Sequence, residues 1–179
     1  MGVLKNFEID LKAMEGDTQD FSYTLDDSYF HSLETTEVRN GLVNAQVTVK
    51  KHAGSYELDM HVDGTVVIQC DRCLDDMNQP VDADYKLFVK FGPEYLDEGD
   101  DLVVVPEDEG KVNVAWFLYE IVALAIPIQH VHEPGACNQE MMQILQQHAA
   151  HNMENIEDEN GESATDPRWN DLKKILNNN

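Results

Sequence analysis

The sequence predicts an α+β fold: an antiparallel β-sheet packed by one buried helix, with a short C-terminal helix. Three observations predict it. Apolar and polar residues alternate through the first half of the chain, the two-residue period of half-buried strands. A later stretch, Val112 to Ala125, is apolar almost all round and long enough for a helix buried against a sheet. Near the end, Asp166-Pro167 places a capping residue before a proline suited to the first helical turn.

The elements follow in order. Phe21 to Leu25 reads as a strand, and Asp26 or Asp27 can cap a short helix carrying Tyr29, Phe30 and Leu33. Val43, Ala45, Val47 and Val49 share one parity of a strand whose other face is Asn44, Gln46, Thr48 and Lys50. Ala53-Gly54-Ser55 supplies a turn, and Tyr56, Leu58, Met60 and Val62 resume the alternation. Asp63-Gly64 is the strongest hairpin signal in the chain, because type I′ turns need positive φ at both central residues. Thr65 to Gln69 would be the return strand, ending at Cys70, with a loop through Pro80 before a strand from Val81 to Phe91. A sheet of roughly five to seven strands results. Gly92 to Gly110 holds eight acidic residues and no Lys or Arg, which predicts a solvated loop in which Leu102 to Val105 can add a short strand. Pro127 stops the apolar helix, and Asn138 to His148 forms a second helix through Met141, Met142 and Leu145. The domain division that results is an α+β domain over 1–150, a flexible acidic linker over 151–165 and a C-terminal helix over 166–179, whose apolar face is Trp169, Leu172, Ile175 and Leu176.

The chain has 179 residues, with 12 Lys plus Arg against 35 Asp plus Glu, a formal charge of −23. Hydrophobic residues make up 42%, enough for a core and against wholesale disorder. So acidic a protein cannot hold nucleic acid by general phosphate neutralisation, and anionic membranes repel it. Any work near RNA is therefore expected to run through a basic protein. Met1 to Lys12 has no apolar stretch of signal-peptide length, and the run to Ile128 is interrupted by Glu120. With three cysteines, an odd number, these features predict a reduced, cytoplasmic compartment.

Cys70-Asp71-Arg72-Cys73 is the one sharp motif. Two thiolates two residues apart can both reach one ion at about 2.3 Å. Cys137 and His132 on the Pro134-Gly135 loop can complete a Cys₃His metal site of Cys70, Cys73, His132 and Cys137, with His130 as the substitute and zinc as the default ion. A closed site of that kind is structural. The bland alternative is three small buried hydrophobes; a thioredoxin-like redox pair would instead open a helix after a parallel strand. No phosphate loop, nucleophile elbow or HExxH appears, so no enzyme is predicted.

Val67 to Asp75 (VIQCDRCLD), the following long strand, the acidic loop, the helix ending Ile126-Pro127 and the closing Asp166-Pro167-Arg168-Trp169 together resemble the YceD family. These are bacterial and plastid proteins linked to accumulation of large-subunit ribosomal RNA. Many relatives carry a further cysteine cluster before the last helix; here 152–165 has none, which leaves the Cys₃His set. The resemblance implies a non-enzymatic factor in ribosome biogenesis, reached through a basic ribosomal protein rather than by direct RNA binding. The rival reading is a redox or metal-handling protein using Cys70 and Cys73.

Overall fold

The alternating segments form strands that pair mostly with their neighbours in sequence. The computed structural model describes residues 3–35, 37–97, 99 and 101–149. One compact unit spans Met1–Met142; of the second, Gln143–Asn179, the described part is the end of one helix and the residue after it. The strands are β1 (Glu8–Asp10), β2 (Thr18–Leu25), β3 (Asn40–His52), β4 (Ser55–Gln69), β5 (Asp76–Gly92), β6 (Leu96–Asp97), β7 (Leu102–Pro106) and β8 (Lys111–Asn113). The α-helices are α1 (Asp27–Ser32), α2 (Ala115–Ala125) and α3 (Gln139–His148). None is long and apolar enough to cross a membrane. The predicted linker over 151–165 and helix over 166–179 lie outside the described residues.

Six strands make one sheet in the order β2-β3-β4-β5-β7-β6, and β1 pairs with β8 in a second, two-stranded sheet. The α+β class stands, but the larger sheet is mixed rather than antiparallel. The chain leaves β5, forms β6 at the edge, and returns as β7 parallel to β5, pairing Phe88–Gly92 with Leu102–Pro106. The acidic segment after Gly92 therefore contributes two strands to the sheet and is not loop throughout.

Three further expectations are corrected. Asp63-Gly64 is not a turn: β4 runs straight through it, with Gly64 opposite Val43 on one side and Val81 on the other. Gly64 has φ of 158°, and a Cβ there would lie 2.4 Å from the Leu42 carbonyl oxygen and 2.6 Å from Val43 Cα. The glycine lets neighbouring backbone approach mid-strand. The turn expected at Ala53-Gly54 does form, between β3 and β4, with Gly54 at φ of 89° between the paired His52 and Ser55. Next, β5 starts at Asp76, so Pro80 lies inside a strand, opposite Thr65, and not in a loop. Finally, residues 111–113 are strand β8, and α2 starts only at Ala115, whose amide donates to Asn113 Oδ1 at 2.9 Å.

The helix α2 packs on β4 and β5 through Leu118, Tyr119, Ile121 and Val122. It is buried on that face only: Trp116 is 48% exposed and Leu124 82%. An open sheet offers one layer to cover, so a helix apolar all round keeps an apolar outer side. Nor is it the one covering helix. Asp26 caps α1 by accepting the Tyr29 amide, and α1 buries Tyr29 and Phe30. The Tyr29 hydroxyl donates to the Ala115 carbonyl at 2.6 Å, which ties α1 to α2. The N-terminal segment, from which the sequence reading took no element, buries Phe7 and Ile9; Phe7 stacks on Tyr23 with ring centroids 4.9 Å apart.

Candidate metal centre

The six residues Cys70–Asp75 form the turn of the β4–β5 hairpin, since Gln69 pairs with Asp76. The turn is closed by two backbone bonds: the Leu74 amide donates to the Cys70 carbonyl, and the Cys70 amide to the Asp75 carbonyl, each at 2.9 Å. Leu74 adopts φ of 62°, a left-handed conformation that usually falls to glycine. That bend turns both Cys70 and Cys73 inward, where they are 0% and 2% exposed.

The second half of the centre comes from the chain between α2 and α3. Asp71 anchors it twice: its amide donates to the His130 carbonyl at 2.9 Å, and its carboxylate accepts the His130 amide at 2.8 Å. Asn138 ties the start of α3 to the same turn, donating to the Asp75 carboxylate at 3.1 Å. Asn138 Oδ1 in turn accepts the Glu140 and Met141 amides.

These ties bring four side chains together. One ligand atom from each of Cys70, Cys73, His132 and Cys137 lies within 4.8 Å of all the others. Cys70 and Cys137 sulfurs are 4.0 Å apart, and Cys73 Sγ is 3.3 Å from His132 Nδ1. A tetrahedron with ligand distances near 2.3 Å has edges of about 3.7 Å, so small side-chain rotations reach it. His132 Nε2 donates to the Asp76 carbonyl at 3.3 Å. That bond fixes the tautomer and leaves the Nδ1 lone pair facing the sulfurs, as a metal-ligating imidazole requires.

His130, the substitute ligand, is engaged elsewhere. Its Nδ1 donates to the Pro127 carbonyl at 3.0 Å, and its Nε2 lies 3.3 Å from the Asp71 carboxylate. Sequence spacing could not choose between the two histidines because Asp71 decides it. The apolar surroundings, Met77, Val131, Met141 and Met142, also went unnoticed as a group.

Electrostatics matches this geometry. Burial pushes the Cys70 thiol up, but hydrogen bonds from the Cys73, His132 and Arg72 amides and from the Cys73 side chain outweigh it and bring it down to about 6. His132 is raised, chiefly by the Cys70 sulfur. Burial raises Cys137, and the other two sulfurs raise it further. The thiolate is favoured at Cys70 and opposed at Cys137, a balance that a cation among the sulfurs would shift toward full deprotonation. All three cysteines are free and buried. A thioredoxin-like assignment finds no support, because the pair forms a hairpin turn and does not open a helix. The arrangement could hold a metal ion with four protein ligands.

A family model described as Large ribosomal RNA subunit accumulation protein YceD matches residues 58–176. No curated protein and no solved structure matches the chain.

Proposed function

The chain belongs to the YceD family, and from that premise we propose that it is a non-enzymatic, cytoplasmic factor in ribosome biogenesis. It supports accumulation of large-subunit ribosomal RNA through contact with a basic ribosomal protein. The match over residues 58–176, which contain most of the β4–β5 hairpin, the candidate metal centre and the 166–176 segment, carries this reading. Charge supports the choice of partner. At −23 the protein repels phosphate and attracts the Lys- and Arg-rich proteins that coat ribosomal RNA. The acidic segment from Gly92 to Gly110 and an edge of the six-stranded sheet, unpaired among the described residues, are the surfaces assigned to it.

The ion proposed for the centre is zinc, held by Cys70, Cys73, His132 and Cys137. A sulfur-rich set of four suits it, and with every position taken by protein the role is structural. In that role the cation pins the β4–β5 turn to the chain before α3, and so sets the surface on which the two segments meet.

Binding measurements across a salt series test the reading, with isolated basic ribosomal proteins and naked large-subunit RNA as the two ligands. The protein partner should bind, and binding should weaken steeply with salt, because exposed charges are screened within about 10 Å at 0.1 M. Replacing Asp97, Glu98, Asp100 and Asp101 by their amides should slow association more than it speeds release. Tight binding to naked RNA at physiological salt would overturn the proposal.

A further inference from the structure

Beside the metal centre the chain leaving α2 and the end of β4 enclose a groove of about 740 Å³. We infer that this groove docks a segment of a basic protein in which an apolar side chain lies next to Lys or Arg; the inference rests on the reading above and supplies its contact site.

The groove carries an apolar strip without a covering layer among the described residues. Ile126, Pro127 and Ile128, from the chain leaving α2, line it together with Leu74 of the hairpin turn. Ile128 is fully exposed and Leu74 is 59% exposed; Leu124, beside the lining Ala123, is 82% exposed. Clustered exposed apolar residues around a concavity mark an interaction surface. The rim is acidic. Glu37 and Asp76 line it, and neither forms an ion pair among the described residues. Asp71 is already engaged by His130, and Arg39 sits on the same rim as Glu37.

This combination selects the occupant. A wholly apolar segment would strip water from the Glu37 and Asp76 carboxylates and leave them unpaired, which is costly. A phosphate backbone would set like charges against them. An apolar anchor flanked by a cation fills the strip and pairs the carboxylates, while Arg39 steers the partner's cation away from its own side. The segment bearing Ile128 is held to the hairpin turn by the Asp71–His130 and Cys73–His132 contacts, so the residues of the candidate centre also tie the groove's lining together.

The test uses the full chain purified with zinc and peptides of about fifteen residues tiling the basic proteins of a large ribosomal subunit. Fluorescence anisotropy is read for wild type, Ile128→Ser and Asp76→Asn. Peptides that place Leu, Ile, Val or Phe within three residues of Lys or Arg should bind. Ile128→Ser should weaken them about tenfold, the loss of one anchoring contact, with melting temperature and metal content unchanged. Asp76→Asn should flatten their salt dependence. If the peptides or the intact proteins bind both wild type and Ile128→Ser equally, the groove assignment falls and the functional reading stands. If no peptide and no intact basic protein binds, the functional reading falls and takes the groove with it. If Ile128→Ser instead weakens binding of large-subunit RNA, or self-association of the chain, the groove serves that occupant and the inference is overturned.

Discussion

If zinc occupies the proposed site, removing it should cost this protein a large share of its stability, and the geometry sets how much. The four ligand atoms already lie within 4.8 Å of one another, against edges of about 3.7 Å for a tetrahedral site, so little of the binding energy goes into rearrangement. Free zinc at a thousand times its dissociation constant adds about 4.1 kcal/mol to the folded state. For a unit the size of Met1–Met142, at about 3 °C per kcal/mol, the midpoint should rise by roughly 12 °C. Cys73→Ser removes one sulfur and should lose both the ion and most of that rise. In excess chelator the variant and wild type should melt within about 1 kcal/mol of each other, because the serine hydroxyl can still donate to His132 Nδ1, now 3.3 Å from the sulfur. The comparison therefore separates loss of metal from loss of packing. His132→Ala should behave like Cys73→Ser, whereas His130→Ala should keep its ion, since that ring is committed to Asp71 and Pro127. Elemental analysis of protein purified without chelator, followed by thermal unfolding with and without chelator, reads all four proteins. A wild type that carries no metal and melts identically in chelator would refute the reasoning.

Two further outcomes follow from the sheet. Gly64→Ala should destabilise by about 2–3 kcal/mol in urea unfolding, because its Cβ meets β3 backbone that cannot move aside cheaply. Gly54→Ala, with positive φ but nothing within 4 Å, should cost only about 1 kcal/mol, and equal costs at the two sites would contradict the strand assignment of Gly64. On the solvent face, the Lys86 ammonium holds Glu57 below its usual value and the Lys50 ammonium, 2.6 Å away, does the same to Asp59. A depressed carboxyl contributes stability that is complete above the unfolded value, near 4, and is lost as pH falls through the folded one. Lys86 is itself raised by Glu57 and Asp59, so its share is complete below the ordinary lysine value and is lost as pH rises past it. Lys86→Met should therefore flatten the acid branch of a stability-against-pH curve, and an unchanged acid branch would dismiss the network as decoration.

The strands were legible wherever one face is buried, because a period of two survives any uncertainty about partners. Asp63-Gly64 misled because a local turn signature competed with a longer pattern. The even-numbered residues Met60, Val62, Gly64, Val66 and Ile68 keep one parity across it, which a hairpin would have interrupted. The parallel pairing of β5 with β7 left no local trace, since it depends on how the chain crosses the sheet edge through β6. For the centre, residue type and loop chemistry were enough to single out Cys70, Cys73, His132 and Cys137, the four that the fold gathers. His132 was preferred there with His130 kept as the substitute, because the contact that occupies His130 comes from a carboxylate 59 residues away in sequence. The helix α2 was legible as apolar, but apolar composition could not say that one of its sides would stay uncovered.

Placing two of the four ligands in a hairpin turn also imposes an order on assembly during synthesis. A hairpin zips in roughly 1–10 μs, whereas a ribosome adds only about 5–20 residues each second. Once β5 has emerged, Cys70 and Cys73 stand ready as half a site, while His132 lies 59 residues beyond Cys73 and Cys137 67 beyond Cys70. For several seconds the nascent chain presents an open pair of thiols with vacant coordination positions, exposed to oxidation and to whichever thiophilic ion arrives first. Only when the chain after α2 reaches back do the four side chains meet, and a bound metal would then enclose the intervening strands and helix in a loop.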